Sequence, residues 1–150
     1  MNTPVPDSQT PPLEAMDVIT LWSLLVAFER RLAKELEPMG LTVSSFRLIG
    51  EVMREPEGIR QGELARRLGV KPPSITVAVK RLEEQGVVAR VPDPHDPRSR
   101  RVVIADASVL GPGIDVLGRM ERVVFGEMGP EDRAQARVLM QRLSFGLMTG

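Results

Sequence analysis

The stretch Glu63–Ile104, ELARRLGVKPPSITVAVKRLEEQGVVARVPDPHDPRSRRVVI, decides the fold. Leu64, Ala65 and Leu68 share one face of a helix predicted over about 61–68, and Gly69 stands where a left-handed C-cap ends it. After Gly69-Val70-Lys71, the pair Pro72-Pro73 pre-sets the first turn of a second helix. Its Ile75, Val79 and Leu82 recur at i, i+4 and i+7, and Gly86 stops it. Two short helices joined by a tight glycine turn make a helix-turn-helix, a motif whose second helix is built to enter a groove. VVARV (87–91) and RVVI (101–104) are β-branched and bounded by turn residues, so they predict a β-hairpin, with PDPHDPRS as its proline-stiffened loop.

Working outward, Val18, Trp22, Leu25, Phe28, Leu32 and Leu36 step by three and four along a long helix over 13–36, and Leu21 and Leu24 add a second apolar stripe. Pro38 and Gly40 end it, and Thr42 is the expected N-cap of a helix through Phe46, Ile49 and Met53. Beyond the hairpin, Leu117, Met120, Val123 and Val124 mark one helix and Ala134, Val138, Leu139, Leu143 and Leu147 another, with Pro112 either starting or kinking the first. Residues 1–12, with four prolines and polar filler, read as a flexible tail. The expected fold is mainly α with a small β-hairpin wing (α+β): a single domain over 13–150, with a winged helix-turn-helix at 42–104 between terminal helices at 13–36 and 106–148.

A chain of 150 residues with 42% hydrophobic and 27% charged residues suits one globular domain. The absence of cysteine excludes disulfides, thiolate metal sites and thiol redox sensing. No apolar run approaches the roughly 20 residues that span a bilayer, and the amino terminus lacks a basic start and an apolar core, so a cytoplasmic protein without membrane contact is expected. Net charge is zero but unevenly spread. Residues 60–101 hold ten basic against five acidic side chains, +5, which leaves −5 for the rest. A basic middle between acidic ends suits a chain whose centre meets phosphate.

If Ile75, Val79 and Leu82 face a core, then Pro73, Ser74, Thr76, Val77, Lys80 and Arg81 project outward. Ser74 and Thr76 can donate or accept at base edges or phosphates, Val77 can touch a thymine methyl, and Lys80 and Arg81 suit phosphate or guanine. Arg98, expected at the hairpin tip, can reach a narrow minor groove, and Arg90, Arg100 and Arg101 add positive potential or form structural ion pairs.

This arrangement resembles the MarR family of bacterial regulators along nearly the whole chain after residue 13. The family's pattern is met by Leu64-Ala65, Ser74 and Thr76, Leu82-Glu83 and Gly86, then Asp93, Pro94, Asp96 and Arg98. The resemblance implies a transcription regulator that binds duplex DNA sequence-specifically, as a repressor on a pseudo-palindromic operator. Helix 71–85 would lie in the major groove and wing 92–99 in the minor groove. It makes Arg98 the wing arginine and Asp96 the residue that orients it by a charged hydrogen bond. Two positions depart from the pattern. Pro97 stands where many relatives have a first arginine, and Lys71 stands at an N-cap where serine is frequent. Lysine cannot accept amide hydrogens, so a DNA phosphate is expected to complete that cap beside Lys71. Relatives often respond to small aromatic or anionic ligands, for which Trp22 and Arg47 are the residues to watch. The apolar stripes of 13–36 and 106–148 exceed what a winged helix needs to cover itself, and two-fold readers of DNA span half-sites, so a homodimer through these segments is expected.

The rival readings are weaker. His95 with Asp93 and Asp96 is a poor metal-ligand set, and no metal or cofactor is expected. The sole histidine lies on the wing and Glu83-Glu84 diverge on their helix, so an enzyme is not expected. A winged-helix module for protein contact without DNA binding is the alternative, and the +5 block argues against it.

Overall fold

The computed structural model describes residues 13–149, and side chains from Asp17 to Leu147. The tail expected over 1–12 lies outside the described residues. Backbone contacts divide the chain into two compact units, one reaching Val43 and one starting at Ser44.

The first unit is helix α1 (Leu13–Leu36) followed by a 3-10 turn, Glu37–Met39. Pro38 fits the start of that turn, and Gly40, at φ 65, closes it with its N–H on Glu37 O. Leu32 and Leu36 are buried, whereas Val18, Trp22, Leu24, Leu25 and Phe28 remain exposed.

The second unit carries α2 (Val43–Met53), strand β1 (Ile59–Arg60), α3 (Gln61–Leu68), α4 (Pro72–Glu84), β2 (Val88–Asp93), β3 (Asp96–Ile104), α5 (Gly111–Phe125) and α6 (Pro130–Thr149). Helices α3 and α4 occupy the predicted spans, and Gly69, at φ 67, is the left-handed cap between them. Leu48, Ile49 and Val52 from α2, Leu64 and Ala65 from α3, and Ile75, Val79 and Leu82 from α4 are buried, together with Ile59, Val88 and Val102 of the sheet. This is the winged-helix fold. Pro112 lies in the first turn of α5, after a 3-10 turn at Ala107–Leu110, so it starts its helix and does not kink it.

The hairpin differs from its expectation in two ways. The sheet has three strands, antiparallel in the order β1-β3-β2, because Ile59 pairs with Val102 and Arg60 with Arg101. Gly58 makes this approach possible. Its φ is +84, and a Cβ there would stand 2.7 Å from Val103 Cγ1 and 3.0 Å from Val102 O. Most of PDPHDPRS is also strand, and Pro94 and His95 alone form the turn. Pro92 pairs with Arg100 but Asp93 pairs with Asp96, so Pro97, Arg98 and Ser99 bulge out of β3.

Candidate nucleic-acid interface

Helix α4 sorts its residues by period. Ile75, Val79 and Leu82 are buried, and Lys71, Pro73, Ser74, Thr76, Val77, Lys80 and Arg81 are all exposed, Val77 at 70%. An exposed valine flanked by hydroxyls and cations on a helix offers the group types that can meet base edges. Thr76 is already engaged: its Oγ1 lies 3.2 Å from Gln61 Oε1 and 3.3 Å from Pro72 O. Lys80 reaches Glu84 only loosely, at 3.9 Å.

The start of α4 corrects one expectation. Pro72 and Pro73 carry no N–H, and the Ser74 amide donates to Lys71 O at 3.0 Å. The first turn therefore holds no orphan amide for a phosphate to cap, and Lys71 stands beside it as an exposed cation.

The wing is fastened by Asp93, which is 2% exposed. Its Oδ1 accepts the His95 amide at 2.9 Å and thereby fixes the Pro94-His95 turn. Its Oδ2 accepts Arg60 Nε at 2.6 Å, and Arg101 Nε lies 3.1 Å away as an ion pair, off the line of a hydrogen bond. The His95 amide, then the two guanidinium groups, hold this carboxyl far below the usual carboxylate range despite its burial. Arg60 and Arg101 face each other across β1 and β3, and the carboxylate offsets their repulsion.

Arg98 is exposed at the centre of the bulge, beside the turn and not in it, which corrects its expected place at the tip. Asp96 Oδ1 accepts the Arg98 backbone N–H at 3.1 Å. Asp96 therefore shapes the main chain, and the guanidinium is not the group it holds.

The ten basic residues of 60–101 fall into two sets. Arg60 and Arg101 pair with Asp93, Arg66 and Arg67 with Glu63, Arg67 also with Glu55, Arg90 with Glu83, and Lys80 with Glu84. Lys71, Arg81, Arg98 and Arg100 make no ion pair among the described residues, and all four are exposed on α4 or the wing. The internal acids thus leave the uncompensated charge on the surface that α4 and the wing present. Trp22 is 68% exposed on α1, and Arg47 is exposed on α2 without an ion pair among the described residues. No group of three or more metal-ligating side chains occurs among the described residues. None of their helices is long and apolar enough to cross a membrane.

Residues 39–99 match the model of the MarR family. A MarR transcriptional regulator from Methanosarcina mazei Go1 shares the fold over 91% of this chain and 99% of its own, with a TM-score of 0.74 and 22% identity. Over its winged helix the chain matches the MarR family. CouR from Rhodococcus jostii RHA1, solved with p-coumaroyl-CoA bound, is 26% identical, with a TM-score of 0.68 over 84% of this chain and 90% of CouR. The transcriptional activatory protein BadR of Rhodopseudomonas palustris is 37% identical over 73 residues, which span 47% of this chain and 42% of BadR. The MarR-family match ends at Ser99, inside the bulge, so the family's own pattern takes in α2, the helix-turn-helix and the clasped turn of the wing.

Proposed function

We propose that this chain is a MarR-family regulator of transcription in the cytoplasm that binds duplex DNA sequence-specifically as a homodimer. In this reading α4 enters the major groove, where Ser74, Thr76 and Val77 read base edges. Lys71, Lys80, Arg81 and Arg100 bind backbone, and Arg98 enters the minor groove. The observation that carries it is the division of charge: six cations of the basic block are paired internally, and the four left over lie on α4 and the wing. Protein contact through the winged helix gives no reason for that division.

The exposed apolar residues support the homodimer. Trp22, Leu25 and Phe28 on α1, Leu117 and Val123 on α5, and Leu139, Leu143 and Leu147 on α6 are all at least 40% exposed in the single chain. A two-fold dimer would read a pseudo-palindromic operator. A small aromatic or anionic ligand relieves repression in this reading, with Trp22 of the first unit and Arg47 of the second each a residue to test by itself, and the likeness to CouR with its aromatic, anionic acyl-CoA supports that class. The likeness to BadR favours a second reading of the sign, activation.

Fluorescence anisotropy with duplex DNA from upstream of the chain's own reading frame tests the proposal. Binding that falls steeply with salt, and is weaker for Arg98→Ala, is expected. Absence of binding at low salt would refute it. A promoter-reporter strain with and without the protein decides between repression and activation.

A further inference from the structure

Thr76 on α4 and Gln61 at the start of α3 belong to different helices, yet Thr76 Oγ1 faces Gln61 Oε1 at 3.2 Å. The hydroxyl has one hydrogen to give, to this oxygen or to Pro72 O at 3.3 Å. With Oε1 turned to Thr76, the carboxamide nitrogen is the outward end of the side chain. No described residue accepts from it, and it is not among the buried unpartnered atoms, so the nitrogen keeps access to solvent while its oxygen faces α4. A glutamine free at both ends reads adenine with one donor and one acceptor. One whose oxygen is occupied is left with donors alone.

We propose that Gln61 is a DNA-contacting residue that works as one unit with Thr76. Thr76 fixes the carboxamide, and Gln61 Nε2 donates to an acceptor oxygen of the DNA, either guanine O6 or a phosphate oxygen. The inference rests on the DNA-binding reading above, and it extends the reading surface from α4 to the first residue of α3.

The experiment measures affinity for the same upstream duplex by anisotropy, with thermal melting of each variant to confirm folding. Gln61→Glu keeps an oxygen for Thr76 but exchanges the donor for an anionic acceptor, so it should bind about tenfold more weakly than Gln61→Ala. Gln61→Ala should weaken binding about fivefold in the wild type but hardly at all in the Thr76→Val background, where independent sites would again lose about fivefold. Thr76→Ser retains the hydroxyl, so Gln61→Ala should again weaken binding about fivefold in the Thr76→Ser background. Single base-pair substitutions in the duplex then separate the acceptors. A Gln61→Ala loss confined to one G·C pair identifies guanine, and a uniform loss identifies phosphate. Wild-type affinity in Gln61→Glu, or single losses that multiply in the double variant, would overturn the pair; if Arg98→Ala still weakens binding, the DNA-binding reading stands. Failure of the wild type to bind at low salt would overturn both.

Discussion

Arg60 Nε and Asp93 Oδ2, thirty-three residues apart, lie 2.6 Å from each other, and this bond fastens the turn end of the wing to the residue that opens α3. Because Asp93 also fixes the Pro94-His95 turn, one buried carboxylate sets the wing's position relative to the helix-turn-helix.

This clasp gives stability a pH dependence of known sign. The folded pKa of Asp93 lies below its ordinary value of 3.8, so its contribution is complete above that value and is lost as pH falls from there toward the lowered one. Asp93→Asn leaves Arg60 and Arg101 facing each other without a counter-charge, and it is expected to lower Tm at neutral pH. In thermal denaturation from pH 7 to pH 2.5, the gap between variant and wild type should narrow below about pH 4. Glu63 provides the contrast. The hydrogen bonds from Arg66, then Arg67, lower it from 4.5 to about 2, but it lies on the surface, so Glu63→Gln should cost less than Asp93→Asn and the cost should shrink in high salt.

Two glycines one turn apart in the sequence should respond oppositely to alanine. Gly58 needs its positive φ and meets Val103 Cγ1 at 2.7 Å, so Gly58→Ala is expected to destabilise by about 2 kcal/mol or more. Gly62 sits in α3 with nothing within 4 Å, and Gly62→Ala should stabilise by about 0.5 kcal/mol. Urea denaturation of the pair measures both.

Val77 and Val79 separate stability from recognition. Val79 is fully buried, and Val79→Ala is expected to cost about 2 kcal/mol of stability. Val77 is 70% exposed, and Val77→Ala should change stability by less than about 0.5 kcal/mol yet weaken DNA binding by about fivefold. Denaturation and anisotropy on the same samples give the two readouts.

At Lys71 a serine would meet no amide to cap, since Pro72 and Pro73 supply none and Ser74 N–H is taken. Lys71→Ser is therefore expected to leave stability within about 0.5 kcal/mol of the wild type, short of the gain an ordinary N-cap brings. The loss of one phosphate contact should reduce the slope of log affinity against log salt by about 1. An unchanged slope in a salt titration would remove Lys71 from the interface.

The sequence by itself determined the helix-turn-helix, its boundaries and the exposed face of α4. Each rests on signals carried within a few residues: Gly69 and Gly86 as stops, Pro72-Pro73 as a start, and a 3.6-residue period that sends Ile75 and Val79 inward and Val77 outward. Tertiary structure decided the wing and which cations are free. Ile59–Arg60 is too short to show strand alternation, and its pairing with β3 depends on residues more than forty positions away. The bulge at Arg98 follows from the register of β2 against β3, which local composition does not encode. Arg60 and Arg101 counted in the sequence as charge for phosphate, and Asp93 as one acid among five. Folding brings the three together and buries the acid, because a carboxylate leaves water only where donors replace it. Gln61 carried no sequence signal of its own, and its role follows from the crossing of α3 and α4 that sets it against Thr76.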